Sequence, residues 1–204
     1  MDVSFIFFIR FYDHANFIQE LVFQRYESVL TPCFSDYMDR EFMLRKLLPF
    51  NPCMVDFVRQ KYQRLLEGKQ KTVSVHFRLG SNSVYFKPLA QPTFDWYKDV
   101  MATNFGKVDA LFMLFTDNVP ELRTRLSETN LMQGRPFEII DEDFAHGLLM
   151  MTMCKHHVAS NSKTAFWGAF LDAKQPKSGL AVFPSLFFKH NRIRPVPFHD
   201  WIVK

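Results

Sequence analysis

From residue 71 onward, short β-forming apolar runs alternate with segments whose apolar residues recur at helical spacing. Residues 71–77 gather Thr72, Val73, Val75 and Phe77 directly before the turn formers Gly80, Ser81, Asn82 and Ser83, which predicts a strand ending there. Residues 93–104 predict a helix capped by Thr93 and closed near Gly106, and the continuous apolar run 110–115 predicts a strand covered on both faces. The pattern then repeats. Pro120 opens the polar segment 121–129, residues 137–140 form a short strand, and 144–153 form a helix that buries Leu148, Leu149 and Met151. Residues 156–160 and 180–183 are the remaining predicted strands.

Between those last two strands, residues 160–171 read as strand, turn and helix, with Ser160, Asn161, Ser162 and Thr164 around the helix start. The first backbone N–H groups of a helix have no partner within it, and hydroxyl or amide side chains satisfy them. The same surroundings bind a phosphate. This stretch is therefore either an ordinary capped helix after a buried strand or a seat for an anion.

Residues 1–70 have a different texture. A weak stripe at Phe17, Leu21 and Val22 lies within the aromatic-rich segment 11–34, and 39–48 and 52–66 look helical. In the latter, Val55, Val58, Tyr62 and Leu65 fall near one face and Gly68 follows. Residues 3–9 are apolar but far shorter than the roughly 20 residues that span a bilayer, and they lack the flanks of a signal peptide. From residue 189 the tail carries His190, Arg192, Arg194 and several prolines without apolar period. It predicts an irregular surface extension.

Strands alternating with helices from 71 to 183 predict an α/β fold: an open parallel sheet joined by right-handed crossovers, with helices on both faces. Ligands of such sheets sit beyond the carboxyl ends of the strands. His76, Arg78, Asp117, Asn118 and the segment 160–164 all fall at that edge.

Composition narrows the picture further. The 204 residues are 48% hydrophobic and 16% aromatic, enough for a substantial core. A net charge of +4 favours anions, but the chain lacks the dense basic blocks of a nucleic-acid-binding face. Cys33, Cys53 and Cys154 form no C-x-x-C pair, so neither a zinc site nor a redox dithiol is indicated. Either Cys33 pairs with Cys53 in an oxidising compartment or all three are reduced and buried.

His76 and Arg78 alternate along one strand and so share a face. Arg78 offers a planar, permanently charged fork to a phosphate or carboxylate, and Gly80 lets a ligand approach the backbone. Salt-bridged and satisfied, the same residues would be an ordinary strand end. Asp117 and Asn118 suit a sugar hydroxyl or a helix cap. Asp141, Glu142 and Asp143 suit the positive end of a helix dipole or a catalytic carboxylate. His156 and His157 face opposite sides of a strand and cannot share a metal, and Trp167 with Phe166 and Phe170 suits a core or the wall of a sugar pocket. The chain has no G-x-G-x-x-G, Walker or G-x-S-x-G sequence.

Three stretches together resemble the inverting fucosyltransferases of glycosyltransferase family eleven, the α-1,2-fucosyltransferases. Val73-Ser74-Val75-His76-Phe77-Arg78-Leu79-Gly80 is similar to that family's strand ending in H-x-R-x-G, and Phe115-Thr116-Asp117-Asn118 to its F-S-D-[DN]. Asp143-Phe144, Met153-Cys154-Lys155-His156-His157, and Ser160-Asn161-Ser162 leading to Phe166-Trp167-Gly168-Ala169-Phe170-Leu171 resemble its third and longest motif. Pro184 and Phe187-Phe188 fall where the family has P-x-x-W-F, so the resemblance covers roughly residues 72–188.

The resemblance implies a two-lobed GT-B-like fold. Residues 1–70 would be the incomplete, mainly helical acceptor-side lobe, 71–188 the Rossmann-like nucleotide-sugar lobe, and 189–204 the extension. It implies metal-independent transfer of L-fucose from GDP-fucose, with inversion, to a galactoside hydroxyl. No cofactor beyond that donor substrate is needed, and the partners are the donor and a glycan acceptor. Arg78 would hold the diphosphate with His76 beside it, Gly80, Asp117 and Asn118 nearby, and Ser160, Asn161, Ser162 and Thr164 capping the phosphate. By position, His76, Asp117 and Asp143 are the candidate general bases. In an animal-type enzyme the chain would face the Golgi lumen through a membrane anchor outside this sequence; a bacterial or viral relative would be cytoplasmic.

The departures are specific. Residues 1–10 contain no glycine where the family opens with a Gly-rich turn, and Ser81, Leu79 and Phe166 replace its Asp, Arg and first Trp. A non-catalytic relative that keeps the nucleotide-sugar lobe as a binding module is the alternative function.

Overall fold

The computed structural model describes residues 50–68, 71–80, 90–171, 179–186 and 201–204. The expectations for 3–9, 11–34, 39–48, Cys33, Ser81 and 187–200 lie outside these residues. The chain divides into two compact units, Met1–Asp56 and Phe57–Lys204. Only residues 50–56 of the first are described, and the fold is that of the second.

Helix α1, Pro52–Leu66, begins where the apolar period begins and departs from helical geometry at Tyr62 (φ −108°, ψ 16°). Strand β1, Lys71–Phe77, is buried at every position after Lys71, as a β-branched run covered on two faces should be. Helix α2, Phe94–Phe105, starts where Thr93 Oγ1 accepts the Trp96 N–H at 3.2 Å and ends at Gly106. Strand β2, Ala110–Thr116, leads through Asn118 into helix α3, Val119–Thr129, with Pro120 in its first turn. Strand β3, Phe137–Ile139, helix α4, Phe144–Met153, strand β4, His156–Val158, and helix α5, Lys163–Phe170, follow. The tail departs from expectation. After strand β5, Ala181–Phe183, residues Trp201–Val203 form a further strand, β6, paired with β5.

All six strands are parallel, in the order β3-β2-β1-β4-β5-β6. The chain builds outward from β1 through β2 to β3, then crosses back to lay β4 on the other side of β1. Side chains alternate across a strand, so β1 presents Val73, Val75 and Phe77 to one face and Thr72, Ser74 and His76 to the other. The first face carries the main core, where α2 contributes Tyr97, Val100, Met101 and Phe105, and α3 contributes Leu122. Phe77 lies 4.4 Å from Tyr97 and 5.6 Å from Phe94 between ring centroids.

Helices α4 and α5 cover the second face. Cys154 Sγ, at the end of α4, lies 3.5 Å from Met113 Sδ on β2, and Met113 is the register partner of Ser74. The two helices approach so closely that a Cβ on Gly168 would stand 2.8 Å from Met151 Sδ, which requires glycine there. A smaller cluster, including Ala165, Ala169, Ala181 and Phe183 with Phe166 and Trp201, fastens α5 to β5 and β6. Trp201 stacks on Phe183 at 4.5 Å. These aromatics pack against one another, the core reading of the 166–170 segment. Cys154 is buried as expected, whereas Cys53 is exposed, because it sits on the first turn of α1 and not in the core.

Candidate functional site

Reversal of strand order between β1 and β4 opens a crevice at their carboxyl ends, the place where doubly wound sheets bind ligands. Two of the expected residues meet there. His76 Nδ1 and Ser160 Oγ are 2.7 Å apart and both side chains are buried. Tyr97, at the adjoining start of α2, donates its hydroxyl to the His76 carbonyl at 2.8 Å. Burial keeps His76 uncharged, lowering it to about 4; Asp117 pulls it upward and Arg78 adds to the lowering. Burial likewise raises the Tyr97 phenol far above its ordinary value, opposed by a hydrogen bond with Ser160. At neutral pH the floor of the crevice is a network of uncharged donors and acceptors.

Its rim is charged. Arg78 Nη1 lies 2.9 Å from Asp117 Oδ2, with the two side chains 18% and 23% exposed. The same carboxylate accepts the N–H of Leu79 at 2.8 Å and that of Gly80 at 3.1 Å. A Cβ on Gly80 would fall 2.3 Å from Asp117 Oδ2. At Gly80 the group that comes close to the backbone is Asp117, which ties the end of β1 to the end of β2.

Three expected ligand residues have structural employment. Asn118 Oδ1 accepts the Glu121 N–H at 3.1 Å and caps α3. Asn161 is buried and its amide donates to the carbonyls of Ala90 and Leu186, joining three segments behind the crevice. Ser162 caps α5, its Oγ accepting from Thr164 N at 3.2 Å. Thr164 is partly buried in the first turn of that helix. Gln91 donates from Nε2 to the Asn161 carbonyl at 3.1 Å, another anchor on the same segment.

Asp143 belongs to a different cluster. It caps α4, its Oδ1 accepting from Ala145 N at 2.9 Å and His146 N at 3.0 Å, while Oδ2 lies 2.6 Å from His146 Nδ1. Partial burial pushes the Asp143 carboxyl up, but these hydrogen bonds and the imidazole together hold it below the ordinary range. Beside it, Glu142 is bound by Lys61 Nζ and the Tyr62 hydroxyl, both from α1. Burial raises Glu142 and those two donors more than offset it, whereas burial and Glu142 raise Tyr62. Phe57 sets its ring edge against His146 at 5.2 Å. Sequence reading missed His146, although the D-x-x-H spacing that puts an imidazole over a helix cap was visible at 143–146.

His156 and His157 do face opposite sides: His156 lies 5.5 Å from the Phe105 ring, and His157 Nδ1 bonds Ser74 Oγ at 2.8 Å. Among the described residues no group of three or more His, Cys, Asp or Glu side chains is placed to hold a metal ion. None of their helices is long and apolar enough to cross a membrane.

No protein-family model and no curated protein matches the chain. Among solved structures it is similar to the E. coli ADP-heptose LPS heptosyltransferase II, at 12% identity and a TM-score of 0.48, over 77% of this chain and 44% of that one. It is also similar to the Thermosulfurimonas dismutans KpsC, a beta Kdo 2,7 transferase, at 12% identity and a TM-score of 0.39, over 82% of this chain and 55% of the other. The chain thus spans about half the length of each. Likeness of this degree carries no argument about substrate or reaction.

Proposed function

We propose that the described unit is the donor-binding lobe of a glycosyltransferase of GT-B type, and that its donor is GDP-fucose, transferred with inversion and without a metal to a galactoside hydroxyl. The observation that carries this reading is the convergence, at the β1–β4 crevice, of Arg78, the uncharged His76–Ser160 pair and the N-terminus of α5. A departing nucleoside diphosphate develops negative charge, and a fixed guanidinium with helix N–H donors is suited to stabilise it. Asp117 orients that guanidinium at the strand end. The fucose and guanosine parts of the reading rest on the motif resemblance. The same resemblance suggests a glycan acceptor, with a Golgi-lumenal setting in a eukaryote and a cytoplasmic one in a bacterium or virus, while the lack of dense basic blocks argues against a nucleic-acid partner.

GDP is the direct probe. A ligand that binds only the folded state at 100 times its Kd adds about 2.7 kcal/mol to stability, so millimolar GDP raises the Tm, and Arg78→Ala abolishes the shift, measured against that variant's own apo Tm. Absence of any shift in the wild-type chain would sink the reading. Binding of GDP without fucosyl transfer to a galactoside would assign the lobe to a non-catalytic relative.

A further inference from the structure

Inverting transfer needs a group that takes the acceptor's proton, and the donor crevice is poorly equipped for it. His76 is buried with Nδ1 against Ser160, and Asp117 is bound to Arg78 and two backbone N–H groups. A better-suited pair stands on the same sheet edge. After β3 the chain runs beside β2, where Ile140 N donates to Leu114 O at 2.9 Å, and enters α4 on the face that Ser74 and His76 occupy. The first turn of α4 is thus at the carboxyl edge, and β2 and β3 lie one and two strand spacings from β1, roughly 5 and 10 Å.

We propose that His146, held by Asp143, is the general base that removes the proton from the acceptor hydroxyl; the inference rests on the donor reading above. An ionised carboxylate can only accept, so Nδ1 carries the proton shared with Asp143 Oδ2, and Nε2 is the basic nitrogen. The ring is 27% exposed, open to a substrate as His76 is not. Phe57 packs against it from α1, and the neighbouring Glu142, bound by Lys61 and Tyr62, lies within electrostatic reach of the imidazole. In the step itself, Nε2 accepts the hydroxyl proton as the hydroxyl oxygen bonds the anomeric carbon. The bond from that carbon to the diphosphate oxygen breaks, its electron pair leaves with GDP, and the imidazolium then releases its proton to solvent. Asp143 is a positioning residue that fixes the tautomer and stabilises the imidazolium.

The test is GDP-fucose transfer to lactose, with the GDP thermal shift measured on every variant. Positioned acid–base groups contribute typically 10²–10⁴-fold. His146→Ala and His146→Gln should each lower kcat by about 100-fold or more, with the KM for GDP-fucose within about threefold and the GDP shift intact. Added imidazole should restore activity at least about tenfold in His146→Ala. Asp143→Asn, which retains a capping side chain, should lower kcat by an intermediate factor. A His146→Ala enzyme within threefold of wild-type kcat overturns the assignment, as does a loss that imidazole does not rescue or that travels with loss of the GDP shift. A wild-type chain that binds GDP but transfers nothing overturns it too, whereas one without a GDP shift overturns the donor reading instead.

Discussion

Strand β1 presents two contrasting faces from adjacent residues. Val73, Val75 and Phe77 lock into α2 and α3 as a dry hydrophobic layer, while Ser74 and His76, equally buried, reach across to β4 through hydrogen bonds with His157 and Ser160. Apolar burial is favourable but non-directional, so it stabilises the sheet without choosing where a polar atom points. Buried hydrogen bonds contribute less net stability but are costly to leave unmade, so they fix geometry. The candidate site stands on the second face, supported by the first.

That contrast breaks most visibly at Phe77. Phe77→Ala leaves a cavity against Phe94 and Tyr97 and should cost about 3–5 kcal/mol, read from urea unfolding with an unchanged m-value. On the polar face the largest effect is one of pH. His76 titrates near 4 when folded against 6.5 when unfolded, so the unfolded chain binds the proton first and stability falls as pH drops through that window. Between pH 7 and pH 5 the loss attributable to His76 is about 2 kcal/mol, and the unfolding free energy of His76→Gln should be flatter by that amount over the same range. The smallest effect is at Ser74, where Ser74→Ala removes the partner of a buried imidazole nitrogen and should cost about 1–2 kcal/mol. A Ser74→Ala loss as large as that of Phe77→Ala would erase the distinction between the faces.

Local signals explain how much of this was legible beforehand. Thr93, Asn118, Asp143 and Ser162 all cap the helices that their positions predict, and the strand runs announce themselves, 71–77 by its β-branched residues and 110–115 by its continuous apolar character. Strand β6 was not legible. Trp201, Ile202 and Val203 are β-formers, but three residues carry no period, and it is the open edge of β5 and the stack of Trp201 on Phe183 that make them a strand. At the candidate site, the sequence put His76, Arg78 and Ser160 on one edge through the α/β rule, but not the pairings within it. Nothing local says that Asp117 clasps the Gly80 backbone from 37 residues away, or that the Asn161 amide is spent on the carbonyls of Ala90 and Leu186. Residue type suggests a ligand or a cap, and only the tertiary neighbourhood decides which.

The crossover that lays β4 beside β1 also sets the order of assembly. β1, α2, β2, α3 and β3 are neighbours both in the chain and in the sheet, whereas Ser74 must wait for His157, 83 residues further on. Distant pairings come at the expense of more chain entropy and slow folding. The half-sheet β1–β3 is therefore the natural early nucleus, and the β1–β4 crevice closes late. A nucleotide seated there would select molecules that have finished folding, making occupancy of the crevice a report on completion of the sheet.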